Sequence, residues 1–435
     1  MKSIKLATLI LLNILSLQLC SCVRNTSPSD DIYSDSYINS SLQQYKPLNS
    51  EAGMTEIDAV NTALSNNPEY KIKQLKAVSA EAGYYSSLLN LTPNVSISNK
   101  SGVNTTYQVS PSSVMGVLMA KALADKAQYD VDDYRRELVK DINITHSNMQ
   151  EDEFAATIQK ENEEFQREMA SNMLRKKTST SDILDFKINE LKAKAAAIEA
   201  EKKYKTNSYA LAANMGITSA ELPANIGTQK SILLKSMNND KKSWRNLNYY
   251  LNVAIKNRLD LKAHKAALRA AKYDLYSAAG ELTPRVNATV KNSNASVSAS
   301  ERLSPGRNLA GMRIKGADYA MQQENLHKKW ISIVKEVKEA YLKLTMQLAI
   351  RKILESTMQM AKQRRDMAAK QYNAGKTKSI AILSQAQQDL VNAQKSFIKA
   401  EKELHDARAE LYAACGIQND KTKKPKHYNI ESGTR

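Results

Sequence analysis

Apolar residues recur in steps of three and four along the last long segment of this sequence. They are Leu383, Ala386, Leu390, Ala393, Phe397, Ala400, Leu404, Ala407, Leu411 and Ala414. This heptad spacing forms a seam by which one long α-helix packs on another with a slight supercoil. Bulky and small residues alternate along the seam, so a facing helix can approach closely at each alanine. The pattern predicts a coiled-coil helix that follows a turn at Gly375.

Two further segments carry shorter seams of the same kind. One comprises Val334, Val337, Tyr341, Leu344 and Leu348, and the other comprises Leu184, Ile188, Leu191, Ala195 and Ile198. We therefore predict long helices over 115–175, 181–215 and 318–372. At about 1.5 Å per residue, the last of these would extend roughly 80 Å. No compact domain needs a helix of that length, whereas a protein that crosses an aqueous compartment does.

Two stretches with a period of two residues interrupt the helical pattern. A helical stretch from Thr55 to Leu91 ends at "LTPNVSIS", and a similar stretch ends at "LTPRVNATV", which begins at Leu282. Proline stops the preceding helix, and the alternation of apolar and polar residues after it indicates a strand. We predict β hairpins near 95–110 and 286–315. Their supporting apolar residues are Val95, Ile97, Val103, Tyr107 and Val109 in the first, and Val286, Ala288, Val290, Met312 and Ile314 in the second.

The order of these elements occurs twice. Pro93 and Pro284 lie 191 residues apart, and "LAANMGI" at 211–217 corresponds to "LYAACGI" at 411–417 with an offset of 200. Such steady offsets indicate an internal duplication of helix, β hairpin, long helix, turn and helix. The predicted organisation is a signal peptide at 1–22, a polar leader at 23–52, a first repeat at 53–216, a linker at 217–242, a second repeat at 243–417 and a basic tail at 418–435.

The first residues are typical of an export signal. Lys2 and Lys5 precede an apolar run that is too short for a comfortable membrane span. The run ends in Leu19-Cys20-Ser21-Cys22, which resembles a bacterial lipobox, and Cys22 fits the lipidated position better than Cys20. We therefore expect a lipid anchor at Cys22, with Val23 favouring sorting to the outer membrane. The alternative is an ordinary cleaved signal with incidental cysteines.

The amino-acid composition narrows the class of protein further. The 435 residues include only 13 glycines, 9 prolines and 6% aromatic residues, which favours long helices that bury narrow seams over a large globular core. The formal net charge is +18, but basic residues alternate with acidic ones on helix faces, so we do not expect nucleic-acid binding. No metal-ligand spacing, nucleophile–base arrangement or phosphate loop is present in the sequence, so no enzyme activity or cofactor is expected. The acidic run 130–137 is interpreted not as a metal site but either as acidic residues in the first turns of a long helix or as pairing with Arg135 and Arg136.

The element order resembles that of the TolC-type outer membrane efflux family. The resemblance rests on "NNPEYK" at 66–71, the two "LTPxV" strand entries and "YNAGKTKSIAILSQAQQDLVNAQ" at 372–394. It covers about 53–416 and implies a mainly α fold with a small β part. It also implies a homotrimer in the Gram-negative outer membrane, with a twelve-stranded β-barrel and a helical tunnel across the periplasm. Substrates would come from an inner-membrane pump through a periplasmic adaptor, as in efflux or type I secretion.

The resemblance also implies where the tunnel closes. In that family a tyrosine and an arginine of the second repeat bond to an aspartate of the first, and Tyr372 and Asp182 match two of these positions. The arginine position holds Thr377, so we predict a latch between Lys376 or Lys378 and Asp182 or Asp185. Gly375 matches the turn glycine of the family. Ala381 and Ser384 stand where related channels carry carboxylates, which predicts an entrance less attractive to cations.

Two other classes of protein share some of these features. A lipid-anchored periplasmic adaptor also carries a long coiled-coil hairpin, but one hairpin flanked by glycine-rich β modules instead of two equivalent hairpins. A coiled-coil scaffold without a channel would lack β structure near 95–110 and 286–315.

Overall fold

The computed structural model describes nine stretches of the chain. They are residues 54–92, 94–98, 102–175, 180–218, 244–281, 285–291, 294–300, 305–373 and 380–417, and all belong to one unit that spans 52–435. The predicted signal peptide with Cys22, the leader to residue 52, most of the linker and the tail lie outside these stretches. None of the described helices is both long and apolar enough to cross a lipid bilayer.

The same sequence of elements occurs twice along the chain. The first series is α1 (Glu56–Asn66), α2 (Pro68–Leu89), β1 (Asn94–Ser98), β2 (Gly102–Val109), α3 (Pro111–Arg175) and α4 (Thr180–Met215). The second series is α5 (Leu247–Asn257), α6 (Leu259–Gly280), β3 (Arg285–Lys291), β4 (Asn294–Ser300), α7 (Pro305–Asn373) and α8 (Ile380–Ala414). At about 1.5 Å per residue, the 69 residues of α7 extend roughly 100 Å.

The prediction of one helix from Thr55 to Leu91 was wrong, because the chain breaks at Asn67. Pro68 at the first position of α2 disfavours helical backbone in the residue before it, and Asn67 has φ −57° and ψ 119°. The Asn67 side chain then accepts a hydrogen bond from the Tyr70 backbone at 2.9 Å and so caps α2. The second series breaks in the same way at Arg258, which has φ −58° and ψ 118°, although no proline follows it.

The four strands form one antiparallel sheet in the order β1-β2-β3-β4. Val109 pairs with Val286 across the two central strands, so the sheet joins the two repeats. The predicted strands after Pro93 and Pro284 are confirmed, but Met312 and Ile314 were wrongly assigned to the second hairpin. β4 ends at Ser300, and both residues lie in α7, which begins at Pro305. Proline suits the first turn of a helix, where its missing N–H has no partner to lose.

The most extensive contacts between helices are those within the two helical hairpins, α3–α4 and α7–α8, and that of α3 with α6, and α3 also lies against α2 and α8. All ten apolar residues of the seam from Leu383 to Ala414 are buried, which confirms the predicted coiled-coil face. Each series has its own apolar core where its helices α1 or α5 meet the hairpin. The first core includes Met54, Ala63, Ile142 and Met215, and the second includes Ala254, Val337, Leu404 and Cys415.

One glycine follows α4 and another follows α8. Each glycine lies against the break between the two shorter helices of its own series. Gly216 and Gly416 have φ of 71° and 66°, in the left-handed region. Around Gly416, the Ile417 N–H donates to the Tyr412 carbonyl at 2.9 Å and the Gly416 N–H donates to the Ala413 carbonyl at 3.0 Å, which is a Schellman motif. A Cβ atom on Gly416 would lie 2.9 Å from the backbone N of Arg258, so the helix end touches the break directly.

We expect Gly416→Ala to lower the free energy of unfolding by about 2–4 kcal/mol, because alanine is strained in the left-handed region and its methyl group meets backbone. Gly311→Ala, in the interior of α7 with no atom within 4 Å of the new Cβ, is the matched control. It should leave stability unchanged or raise it by up to about 1 kcal/mol. Chemical unfolding followed by circular dichroism measures both. Equal effects of the two variants would contradict the packing role of Gly416.

Candidate functional site

The residues of the predicted latch lie at the adjoining ends of the hairpin helices or between them along the chain. Gly375, Lys376 and Lys378 fall between the last residue of α7 and the first residue of α8, outside the described residues. Asp182 belongs to α4, but its side chain also lies outside the description. Asp185 is exposed on α4, and Tyr372 is half-buried near the end of α7. The latch between lysine and aspartate therefore stays a prediction.

An apolar cluster joins all four hairpin helices near these helix ends. It contains Met169, Ala170, Met173, Phe186, Ala368, Leu383 and Ala386, with Phe165, Ile183, Ala369 and Tyr372 packed against it. Tyr372 of the second repeat and Ile183, the neighbour of Asp182, thus contact the same cluster. The sequence analysis did not identify Met169, Met173 and Phe186 as members of a site. The pattern that could have indicated them is the spacing of apolar residues by three or four positions near the ends of α3 and α4.

Amide side chains fill the contact between α3 and α8 above this cluster. Gln159, Asn162 and Gln166 of α3 are buried, as is Gln387 of α8. The Gln387 side-chain N–H donates to Asn162 Oδ1 at 3.5 Å. One acceptor, Gln166 Oε1, is buried without a hydrogen-bond partner among the described residues. The two repeats are therefore held together here by polar contacts, and one of them is incomplete.

At the other end of α8, two buried arginines cap the helix. Arg136 of α3 donates through Nη1 to the Ala413 carbonyl, and Arg258 donates through Nη1 to the Ala414 carbonyl at 3.3 Å. The last carbonyls of a helix lack partners within the helix and carry partial negative charge, so cationic donors are favourable there. One arginine comes from each repeat, so this end of α8 ties the two repeats together.

Carboxylates neutralise both arginines. Asp133 lies 2.6 Å from Arg136 Nη2, which confirms, for Arg136, the alternative that the acidic run 130–137 pairs with arginine. Arg258 bonds to Asp260 and also reaches Glu336 at 2.8 Å, and Lys329 lies 2.8 Å from Asp260. Burial alone would raise the pKa of Asp260, but the hydrogen bonds from Arg258 and Lys329 overcome it and hold the pKa well below its usual range.

The sequence contains the charged residues of this cluster but does not indicate whether they are buried or solvated. "NRLDL" at 257–261 stands where the first repeat has "NNPEY", so a charged pair occupies the helix break of one repeat only. Two neighbouring charges on a helix are usually solvated. Only the contact with the end of α8, more than 150 residues away in sequence, shows that Arg258 and Asp260 are buried.

Because the pKa of Asp260 is lowered in the folded chain, its contribution to stability is present above the unfolded pKa of about 3.9 and lost as the pH falls below it. We expect Asp260→Asn to lower the free energy of unfolding at pH 7 by about 3 kcal/mol, because it leaves Arg258 and Lys329 with less compensating charge.

The control for Asp260→Asn is Glu339→Gln, which removes the exposed pair between Lys335 and Glu339. It should change stability by less than about 0.5 kcal/mol. Urea unfolding at pH 7 and pH 3 measures both variants. The cluster would have no stabilising role if Asp260→Asn matched the control at pH 7, or if its deficit were as large at pH 3.

Part of the sequence and the fold of most of the chain are similar to those of known outer-membrane proteins. Residues 250–417 match the family model described as outer membrane efflux protein. The fold resembles that of a membrane protein from Pseudomonas aeruginosa, with a TM-score of 0.70 and 15% identity over 83% of this chain and 93% of that one. It also resembles the open state of the Neisseria gonorrhoeae MtrE outer membrane channel, with a TM-score of 0.68 and 16% identity over 85% of this chain and 91% of that one.

A third similar structure is the outer membrane protein VceC from Vibrio cholerae, with a TM-score of 0.66 and 12% identity over 82% of this chain and 95% of that one. No curated protein matches the sequence. The resemblance to TolC-type outer membrane efflux proteins is therefore confirmed, in sequence over the second repeat and in fold over most of the chain.

Proposed function

We propose that this protein is the outer-membrane channel of a tripartite system, either an efflux pump or a type I secretion system. It would take substrates from an inner-membrane pump through a periplasmic adaptor and conduct them across the periplasm and the outer membrane. The channel itself would catalyse no reaction and bind no cofactor, and Cys22 would anchor it to the outer membrane. The single observation that carries the proposal is that a lone chain leaves an apolar stripe uncovered on each of two long helices.

The uncovered stripes lie on α4 and α7, and the stripe on α7 is separate from its predicted seam, in which Val337 and Leu344 are buried. Leu184, Ile188, Leu191 and Ile198 follow the predicted seam of α4, and all four are exposed. On α7, Met346, Ile353, Met360 and Met367 are exposed at successive intervals of seven residues. Such contiguous apolar stripes on long helices favour burial by further helices. Further copies of the chain would supply them, and the family resemblance implies three copies.

The sheet supports the same assembly. Strands β1 and β4 are the two edges of the four-stranded sheet, each paired on one side only among the described residues. Unpaired strand edges cannot remain in a lipid bilayer, because the backbone groups would lack hydrogen-bond partners. In a homotrimer, β4 of one copy would pair with β1 of the next and close a twelve-stranded barrel. The helical hairpins would close into a tunnel beneath it.

The alternative of an adaptor or scaffold receives less support. Two equivalent hairpins, one sheet that joins both repeats and a likeness that covers more than nine-tenths of the solved MtrE channel all favour the channel. An adaptor with a single hairpin would not account for the second series of elements.

We expect native outer membranes to yield a covalent trimer after amine-reactive cross-linking of the full chain. A pull-down from the same membranes, followed by mass spectrometry, should recover a periplasmic adaptor and an inner-membrane pump. Protein purified into planar bilayers should show discrete conductance steps. A chain that stays monomeric in native membranes and forms no conductance would contradict the channel.

The charge of the inner entrance gives a second test. Ala381 is exposed and Ser384 half-buried near the start of α8, and neither supplies a carboxylate. We therefore expect weak cation preference in reversal-potential measurements across a salt gradient. Introducing carboxylates through Ala381→Asp and Ser384→Glu should shift the reversal potential toward cations, because fixed negative charge attracts them. A parent channel with strong cation preference would contradict the proposed entrance.

The latch is tested by removing its cations. Lys376→Ala with Lys378→Ala should raise the open probability severalfold in planar bilayers, because the proposed bonds to Asp182 or Asp185 are lost. Lys370→Ala removes an exposed lysine of α7 outside the turn and should leave gating unchanged. Equal gating in all three proteins would show that these lysines are ordinary solvated turn residues.

A further inference from the structure

Each series of elements contains a cleft beside its helix break. The first cleft lies between the start of α2, α3 and the end of α4 and has a volume of about 500 Å³. The second lies between the break at Arg258, α7, the end of α8 and part of α3, and has a volume of about 410 Å³. Asn67 at the first break donates to the Asn214 carbonyl at 2.9 Å. Arg258 at the second break donates to the Ala414 carbonyl at 3.3 Å, so the two clefts are built in the same way.

A carboxylate stands at the second residue of α2 and of α6. Glu69 of α2 accepts a hydrogen bond from the Tyr134 hydroxyl at 3.0 Å. Asp260 of α6 lies 2.8 Å from Lys329 Nζ. The segment "LVKDI" of α3 matches "IVKEV" of α7 with an offset of 195, which makes Tyr134 the counterpart of Lys329. The two contacts therefore occupy the same place in both repeats.

The second cleft has its own cations. Arg258 donates to Asp260 at 2.8 Å and lies 2.8 Å from Glu336. Lys329 pairs with the same aspartate. Buried charges are tolerated when opposite charges and hydrogen bonds compensate them. The two carboxylates of this cleft thus hold one guanidinium group and one ammonium group.

The first cleft retains both carboxylates but neither cation. Asp141 is the counterpart of Glu336 at the offset of 195, and Glu69 remains on α2. Asn67 and Tyr134, which are uncharged, replace the arginine and the lysine. Asparagine is shorter than arginine and aspartate is shorter than glutamate, so these side chains leave more space. This cleft is therefore negatively charged where its counterpart is filled by two cationic groups.

The negative charge of the first cleft acts on the Tyr134 hydroxyl. Burial, together with the hydrogen bond to Glu69, raises the pKa of Tyr134 to about 12. The charges of Glu69, Asp141 and Glu137 add to this rise in pKa, because they would repel an ionised phenol. All three carboxylates line the cleft. The same charges attract a cation that enters it.

Two lysines lie near the first cleft, but neither belongs to its lining. Lys140 Nζ lies 3.4 Å from Asp141, its neighbour in sequence. Lys73 Nζ lies 5.8 Å from the centre of the Tyr134 ring. Glu69 accepts the hydrogen bond of Tyr134 but forms no ion pair within the part of the chain that the structure describes. At least one carboxylate of this cleft is thus available to a cation from solution.

We propose that the first cleft binds an aliphatic dication, with an ammonium group at one end and a guanidinium or second ammonium group at the other. Glu69 binds one cationic group and Asp141 the other, in the places that their counterparts use for the lysine and the arginine of the second repeat. The ring of Tyr134, beside Glu69, offers a further favourable surface for a cation. Among the described residues, no group of three or more His, Cys, Asp or Glu is placed to hold a metal ion, which favours an organic cation. The site does not depend on the proposed channel, because all of its residues belong to one chain.

Agmatine, which carries one guanidinium group and one ammonium group, is the probe. Titration calorimetry of the full-length protein in detergent should show saturable binding at a single site per chain, and the affinity should fall severalfold as the salt concentration rises. Agmatine should also raise the midpoint of thermal unfolding, because it binds only the folded chain. n-Butylammonium, with one charge, should bind at least about tenfold more weakly, since it forms charge-assisted hydrogen bonds to only one carboxylate.

Neutralising the two carboxylates tests the assignment. Glu69→Gln/Asp141→Asn should weaken agmatine binding at least about tenfold, because both charge-assisted contacts are lost. Glu161→Gln/Glu164→Gln is the matched control, since it removes two exposed carboxylates of α3 outside the cleft. It should bind agmatine as the parent protein does. Circular dichroism checks that all of these proteins are folded.

Supplying a cation of the second repeat should block the site. Tyr134→Lys places an ammonium group beside Glu69, in the position that a lysine has in the second repeat. This variant should bind agmatine severalfold more weakly while it stays folded by circular dichroism. Unchanged binding by folded Tyr134→Lys would contradict the proposed position of the dication.

Two further outcomes would overturn the site. Absence of saturable agmatine binding by the parent protein would show that the carboxylates of the cleft are ordinary solvated side chains. Equal binding by Glu69→Gln/Asp141→Asn and its control would show non-specific attraction of dications to the protein. Conductance is measured separately, so a protein that conducts but does not bind agmatine would leave the proposed function intact.

Discussion

The burial of apolar stripes on helices that are too long to fold into a globule controls the rest of this structure. A helix such as α7 cannot cover its own seam, so each seam needs a neighbouring helix along much of its length. Within the chain this requirement produces the hairpins α3–α4 and α7–α8 and the contact of α3 with α8. Where the chain has no further helix, the stripes of α4 and α7 remain exposed.

Duplication has preserved backbone geometry more strictly than side-chain chemistry. Asn67 and Arg258 have nearly the same φ and ψ at the helix break, and Gly216 and Gly416 adopt the same left-handed conformation beside them. Yet Asn67 only caps α2 and bonds to the Asn214 carbonyl, whereas Arg258 forms part of a buried charged cluster. Direct contact with backbone atoms constrains both glycines. The side chain at the break differs between the repeats, and each of the two has its own hydrogen-bond partners.

The periodic features of the fold could be predicted, and the local ones only in part. The seam from Leu383 to Ala414, the hairpin helices and the strands after Pro93 and Pro284 follow from spacing alone. The break at Asn67 was missed because apolar spacing continues across it, and Met312 and Ile314 were misplaced because a few alternating residues cannot distinguish a strand from the start of a helix. Of the candidate site, the sequence predicted Tyr372, which packs against the apolar cluster, but not Met169, Met173 and Phe186 of that cluster.

By itself the sequence determined the period of each helix, the existence of two repeats and the positions where helix changes to strand, since these depend on residues close together along the chain. Only the tertiary structure decided which seams are covered and which charges are buried. Leu184 and Leu383 occupy equivalent places in similar patterns, but one is exposed and the other buried. That difference depends on whether a distant helix lies opposite, and neither spacing nor composition contains this information.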